Sequence, residues 1–152
     1  MDDITLKRIE TIHPKYRSEL IHIYKEICEK LTSRWECRFT SVFRSNADQD
    51  KLFAQKPKVT NARGGESFHN YGLAVDVCLI GPAGASWDIN ADYDRDGMAD
   101  WHEMVCVFKK YGWTWGGDWV GFKDCPHFQR DSGLTIPELK KIPKLGIYPD
   151  LK

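Results

Sequence analysis

The chain has 152 residues, 41% hydrophobic and 29% charged, which suits one ordinary globular domain with its own core and argues against a disordered or fibrous chain. Its 22 Lys and Arg balance 22 Asp and Glu, so it lacks the clustered positive charge that drives binding to nucleic acid or anionic lipid. Five cysteines (Cys28, Cys37, Cys78, Cys106 and Cys125) are odd in number and show no paired spacing. Three of them lie in apolar runs, and the set reads as free thiols made in a reducing compartment.

The N-terminus MDDITLKRIE is too charged for a signal peptide, and no apolar run reaches membrane-spanning length, so no membrane insertion is expected. Tyr16, Leu20, Ile23, Tyr24, Ile27, Cys28 and Leu31 recur at steps of three and four, which predicts a helix over 14–32 opened by Pro14. Residues 36–43 alternate as a strand, and a short polar helix follows over 46–54, capped by Ser45 or Asn46. The stretch 57–72 reads as a Gly- and Asn-rich loop and 73–80 as a buried strand. An acidic loop over 88–100 leads into a helix at 100–111 that Gly112 ends. Short strands near 113–116 and 126–129 complete a sheet, and the lysine-rich tail after Pro137 offers little core of its own. Mixed elements without a strand–helix repeat predict an α+β fold, a small single domain over 1–152 with an antiparallel sheet packed by helices.

Asp76 stands inside an apolar strand, Ala74-Val75-Asp76-Val77-Cys78-Leu79, where an unpaired carboxylate is costly to bury. It needs a partner: a buried arginine, or a metal shared with His69, which lies seven residues earlier across a turn at Gly72. Taken alone, His69 reads as a turn histidine. A second histidine, His127, follows an acid in Asp124-Cys125-Pro126-His127, a spacing that can place a general base beside a metal site. Catalytic zinc prefers three such nitrogen or oxygen ligands and one open position. His13, His22 and His102 lack that setting.

These residues carry a family resemblance. Ser67-x-His69-x-x-Gly72-x-Ala74-x-Asp76, then Trp115-Gly116-Gly117-Asp118-Trp119 and Asp124-x-Pro126-His127-Phe128, resembles the zinc D-Ala-D-Ala carboxypeptidase and L-alanyl-D-glutamate endopeptidase family, and looks most like single-domain endolysins of tailed phages. The resemblance spans roughly 38–129 and includes Phe43-Arg44-Ser45 and Asn61-Ala62-Arg63-Gly64-Gly65. It implies zinc on His69, Asp76 and His127, Asp124 as acid/base, Arg44 and Gln49 lining the site with Arg44 polarising or anchoring a substrate oxygen, and Ser67 helping to hold substrate. Trp115 is expected to pack beneath the metal. Arg44 also reads as a surface residue at a strand end.

The segment Asp92-Tyr93-Asp94-Arg95-Asp96-Gly97-Met98-Ala99-Asp100-Trp101-His102-Glu103 fits an EF-hand calcium loop position by position. Asp92, Asp94, Asp96, Asp100 and Glu103 supply side-chain oxygens, Met98 a backbone carbonyl, and Gly97 the sharp turn. The preceding residues do not read as a helix, so this is a lone half EF-hand inserted in the domain. Some of the phage endopeptidases the chain resembles are calcium-regulated in this way.

The combined expectation is a calcium-regulated zinc endopeptidase that cuts the L-Ala–D-Glu bond of peptidoglycan stem peptides as a lysis enzyme. Alternatives are a D,D-carboxypeptidase of the same fold and a non-catalytic, calcium-responsive wall-binding module. A monomer without a separate wall-binding domain is expected, made in a host cytoplasm and acting in the periplasm after another protein opens the membrane.

Overall fold

The structure is a computed structural model that describes all 152 residues. It opens with α1 (Asp3–Ile9), a helix absent from the expected elements. Asp2 caps it, accepting the Thr5 backbone N–H at 3.2 Å and the Thr5 hydroxyl at 2.6 Å. The same carboxylate takes two bonds from Arg38, at 2.9 and 3.1 Å, which moor the helix to the sheet. Pro14–Tyr16 form a 3-10 turn, so the helix expected from residue 14 begins as α2 at Arg17 and runs to Lys30. Its apolar stripe is as the spacing predicts: Leu20, Ile23, Tyr24 and Ile27 are buried.

β1 (Glu36–Ser41), α3 (Asn46–Phe53), β2 (Ala74–Gly81) and β3 (Gly84–Ser86) follow. Then come α4 (Asp100–Lys110), β4 (Thr114–Trp115) and β5 (His127–Gln129). Every pairing is antiparallel, in the order β1-β2-β5-β4, with β3 added beside the end of β2. The fold is a small α+β domain, as expected. No helix is long and apolar enough to cross a membrane.

Strand alternation decides where the site lies. Cys37 and Phe39 of β1, Val75, Val77 and Leu79 of β2, and Phe128 of β5 join the core built with α1, α2 and α4. Phe128 stacks on Phe108 of α4 with ring centroids 4.0 Å apart. Fully burying such a side chain stabilises by about 1.5–3 kcal/mol. Period two then sends Asp76, His127 and Gln129 to the opposite face of the sheet, away from the helices. Asp76 is therefore not a core residue, although its neighbours are.

Two expectations change. The tail forms a helix, α5 (Ile136–Lys141), closed by a capping box between Thr135 and Glu138. Its Leu139 is buried with Tyr16, Tyr71 and Leu73 in a second small core, and β6 (Lys144–Leu145) pairs with β7 (Tyr148–Pro149) behind it. The second change concerns cysteine. All five are free, but Cys106 is exposed, because the buried stripe of α4 runs through Trp101, Met104, Val105 and Phe108 and turns position 106 outward.

Candidate metal centre

His69 sits in a 3-10 turn, Phe68–Tyr71, whose entry is capped by Ser67 and Asn70 reciprocally. Ser67 Oγ accepts the His69 N–H at 3.3 Å, so this hydroxyl shapes the turn that presents the histidine. Gly72 ends the turn at φ +68, and a Cβ there would stand 2.7 Å from Tyr148 Cε1 and 2.8 Å from the His13 nitrogen. Only glycine suits both demands. Two further bonds bind the turn to the chain after β1: His69 Nδ1 donates to the Val42 carbonyl at 2.7 Å, and Arg44 N–H donates to the His69 carbonyl at 3.0 Å. They also explain why the strand expected over 36–43 stops at Ser41. The backbone beyond it is committed to His69.

With its proton spent on Val42, His69 offers Nε2 as a lone pair. That atom is buried, lies 3.2 Å from Asp76 Oδ1, and has no hydrogen-bond partner. Asp76 faces His127 directly across the β2–β5 ladder, and His127 Nδ1 lies 3.1 Å from the same Oδ1. The remaining His127 nitrogen, Nε2, is 2.9 Å from Gln129 Oε1. Burial alone would push the Asp76 carboxyl up, but the two rings beside it hold it well below the usual carboxylate range. Burial works the other way on His127, yet the Asp76 carboxylate raises its ring above the ordinary value. Three potential ligand atoms lie within 4.8 Å of one another, one of them a buried ring nitrogen with nothing to bond. Such a donor set calls for a cation, and two imidazoles with one carboxylate suit zinc.

Around this cluster the other expected residues take distinct places. Arg44 donates to Gln49 Oε1 and Ser41 Oγ, each at 2.9 Å, and its Nη2 stands 3.7 Å from Asp76 Oδ2. It is not a free surface residue. Gln49 is buried and donates to the Ala62 carbonyl at 2.9 Å, so it braces Arg44 against the 57–67 loop. Asp124 is half-buried, and burial followed by the charge of Asp76 pushes its carboxyl up. Its carbonyl lies where a Cβ on Gly116 would sit 2.3 Å away, so that glycine lets the two segments touch. Asp124, His127, Gln129, Ser67, Phe68 and Trp119 line a groove of about 730 Å³. Arg44 borders a second cavity of about 440 Å³, which it shares with Arg8 and Lys51. Trp115 donates to the Cys125 carbonyl at 2.7 Å and props the segment between Asp124 and His127.

The acidic loop folds inward as a second cluster. Carboxylate oxygens of Asp92, Asp94 and Asp96 lie within 4.8 Å of one another, as do those of Asp94, Asp100 and Glu103. Asp100 and Glu103 are buried, each with one oxygen lacking any partner. Burial, then the neighbouring acids, push Asp100 up to about 6 and Glu103 up to about 8. Gly97, at φ +93, makes the turn, and Met98 is exposed.

Residues 60–130, which hold all three metal-site residues and Asp124, match a family described as D-alanyl-D-alanine carboxypeptidase. The match covers a little under half of the chain, and over it this segment is similar to that family. It is similar to the peptidoglycan L-alanyl-D-glutamate endopeptidase CwlK of Bacillus subtilis (strain 168), with 48% identity over 96 residues. That alignment takes in 59% of this chain and 58% of the relative, so the chain spans little more than half the length of the protein it matches. The fold is similar to the crystal structure of the Serratia marcescens L-Ala D-Glu endopeptidase ChiX, with a TM-score of 0.56 at 24% identity over 85% of this chain and 87% of that one.

From the sequence, Gln129 was given no role, and Trp119 stood only as part of the Trp115-Gly116-Gly117-Asp118-Trp119 motif. Trp119 lies with its ring centroid 5.3 Å from that of His127 and walls the groove. Gln129 was findable, since two residues along a strand from a ligand faces the same side. The Val42 carbonyl was not, because any residue could supply it. His13, His22 and His102 stand apart from the cluster, as expected: His13 is spent on the Pro149 carbonyl, and His22 on that of Ser18.

Proposed function

We propose that this chain is a zinc-dependent endopeptidase that hydrolyses the L-Ala–D-Glu bond of peptidoglycan stem peptides. One observation carries the reading: two histidine nitrogens and one carboxylate oxygen converge beside a groove that also holds a half-buried acid, Asp124. Zinc on His69, Asp76 and His127 would supply Lewis acidity, sharpening a carbonyl's electrophilicity and making water acidic near neutral pH.

The remaining chemistry falls to the chain's own side chains. Asp124, with its carboxyl raised, is suited to take a proton from the attacking water and return it to the leaving amine. Arg44, held by Gln49 and Ser41, offers fixed positive charge to a substrate oxygen. Trp119 and the exposed Phe122 give the groove apolar lining, and Ser67 lines it as well. The similarity to an L-alanyl-D-glutamate endopeptidase supports the choice of bond. The family description supports a second reading, removal of terminal D-Ala. Mass spectrometry of digested peptidoglycan separates them. New L-Ala carboxyl termini and D-Glu amino termini support the first, and free D-Ala the second.

A finer reading, a phage lysis enzyme tuned by calcium, joins the motif resemblance to phage endolysins, for the lysis role, with the acidic loop, for calcium. Two buried carboxylate oxygens without partners, on Asp100 and Glu103, support a cation there, and oxygen-only ligands suit calcium. Asp92, Asp94, Asp96 and the Met98 carbonyl would complete the set. Calcium titration of zinc-loaded protein, followed by calorimetry and by activity, tests it.

A further inference from the structure

Asp131 lies just beyond β5 and accepts a hydrogen bond from Gln129 Nε2 at 2.7 Å, while its other oxygen accepts the Gly133 N–H at 2.9 Å. A carboxylate can only accept, so the amide nitrogen of Gln129 must face Asp131. Its Oε1 then faces His127, and Oε1 can only accept as well. His127 Nε2, 2.9 Å away, must therefore carry the ring proton. Nδ1 is left as the donor atom that points to Asp76 and toward His69 Nε2. Gln129 is 8% exposed and His127 7%, so water competes poorly for either bond.

His69 solves the same problem by another route. Its proton goes to a backbone carbonyl, Val42, and it presents Nε2. The two histidines thus turn opposite nitrogens to one point, and only the His127 arrangement depends on side chains.

We infer that Gln129, oriented by Asp131, is a positioning residue that fixes the Nε2–H form of His127 and so sets Nδ1 as its metal-binding atom. This rests on the reading of His69, Asp76 and His127 as a zinc site. Removing partners of this kind commonly lowers metal affinity by about 10- to 100-fold.

The test uses the full chain, with zinc affinity measured by chelator competition and the histidine ring N–H signals followed by nitrogen-15 correlation spectra of the zinc-loaded protein. Gln129→Leu is expected to lose about 10- to 100-fold in zinc affinity and to expose the His127 Nε2–H to rapid solvent exchange. The paired change Gln129→Glu with Asp131→Asn reverses the polarity of the outer bond but still offers Nε2–H an acceptor. It is expected to restore both readouts. If Gln129→Leu fails to fold, Asp131→Ala carries the test, because a freed amide can rotate and loosen the proton's position. His69→Ala is the control for the zinc reading. Wild-type zinc affinity in both Gln129→Leu and Asp131→Ala, with zinc lost from His69→Ala, overturns the relay alone. Undiminished zinc in His69→Ala overturns the zinc reading and the relay with it.

Discussion

The indole N–H of Trp101 donates to the Cys125 carbonyl across 3.2 Å, joining the first turn of α4 to the residue that follows Asp124. Trp101 lies between Asp100 and Glu103 in sequence, so the acidic loop and the candidate acid/base share one rigid contact. If calcium sets the start of α4, this bond carries the effect to the site. Trp101→Phe should keep its zinc but respond less to calcium, with the activity ratio between calcium-loaded and calcium-free protein falling toward one. Trp115→Phe removes the other bond to the same carbonyl without touching α4. It should lower activity yet leave the ratio intact. Equal ratios in wild type and Trp101→Phe would show that this contact does not carry the calcium effect.

Asp124→Asn should retain its fold and its zinc and lose about 10²-fold or more in kcat, the usual worth of a general acid/base. The measurement is turnover on purified peptidoglycan beside zinc content by atomic emission. A variant nearly as active as wild type would reassign the acid/base.

The acidic loop predicts a pH effect with a definite sign. Asp100 and Glu103 have carboxyls raised to about 6 and about 8 in the folded chain. Between their ordinary values and these, the folded state binds more protons than the unfolded state, so stability falls as pH rises. Without calcium, the melting temperature should therefore drop between pH 5 and pH 8, and flatten above. Saturating calcium should reverse the loss by favouring the ionised carboxylates. A calcium-free melting curve that is flat or rising over that range contradicts the burial of these two groups.

Gly72→Ala places a methyl group against Tyr148 and His13 at a left-handed position. It should destabilise by about 2–4 kcal/mol, the scale of overpacking plus backbone strain. Because the same glycine ends the turn that holds His69, zinc affinity should fall too. Chemical denaturation and chelator competition read the two effects separately.

Much of this was legible in the sequence because each signal was local. Helix stripes, the Ser45 cap of α3 and the alternation of β2 follow from side-chain spacing, and Asp76 stood out as a charge in an apolar run. The grouping of His69, Asp76, Asp124 and His127 came from the family resemblance of the motifs that carry them. What was hidden depended on distant partners. α1 needs Arg38 to hold its capping Asp2, and α5 needs Tyr16, Tyr71 and Leu73 to bury Leu139. The bracing of Arg44 by Gln49 and the proton sink at Val42 are likewise tertiary facts, invisible to any window along the chain.

On the proposed function, His69, Asp76 and His127 hold one zinc ion on which peptidoglycan cleavage depends. The most direct measurement is zinc content and peptidoglycan turnover in the same preparations of wild type, His69→Ala and His127→Ala, before and after chelation. Wild type should carry about one zinc per chain, both variants should lose metal and turnover together, and chelated wild type should recover on adding zinc back. Full turnover in thoroughly chelated protein, or a normal zinc complement in either variant, would contradict it.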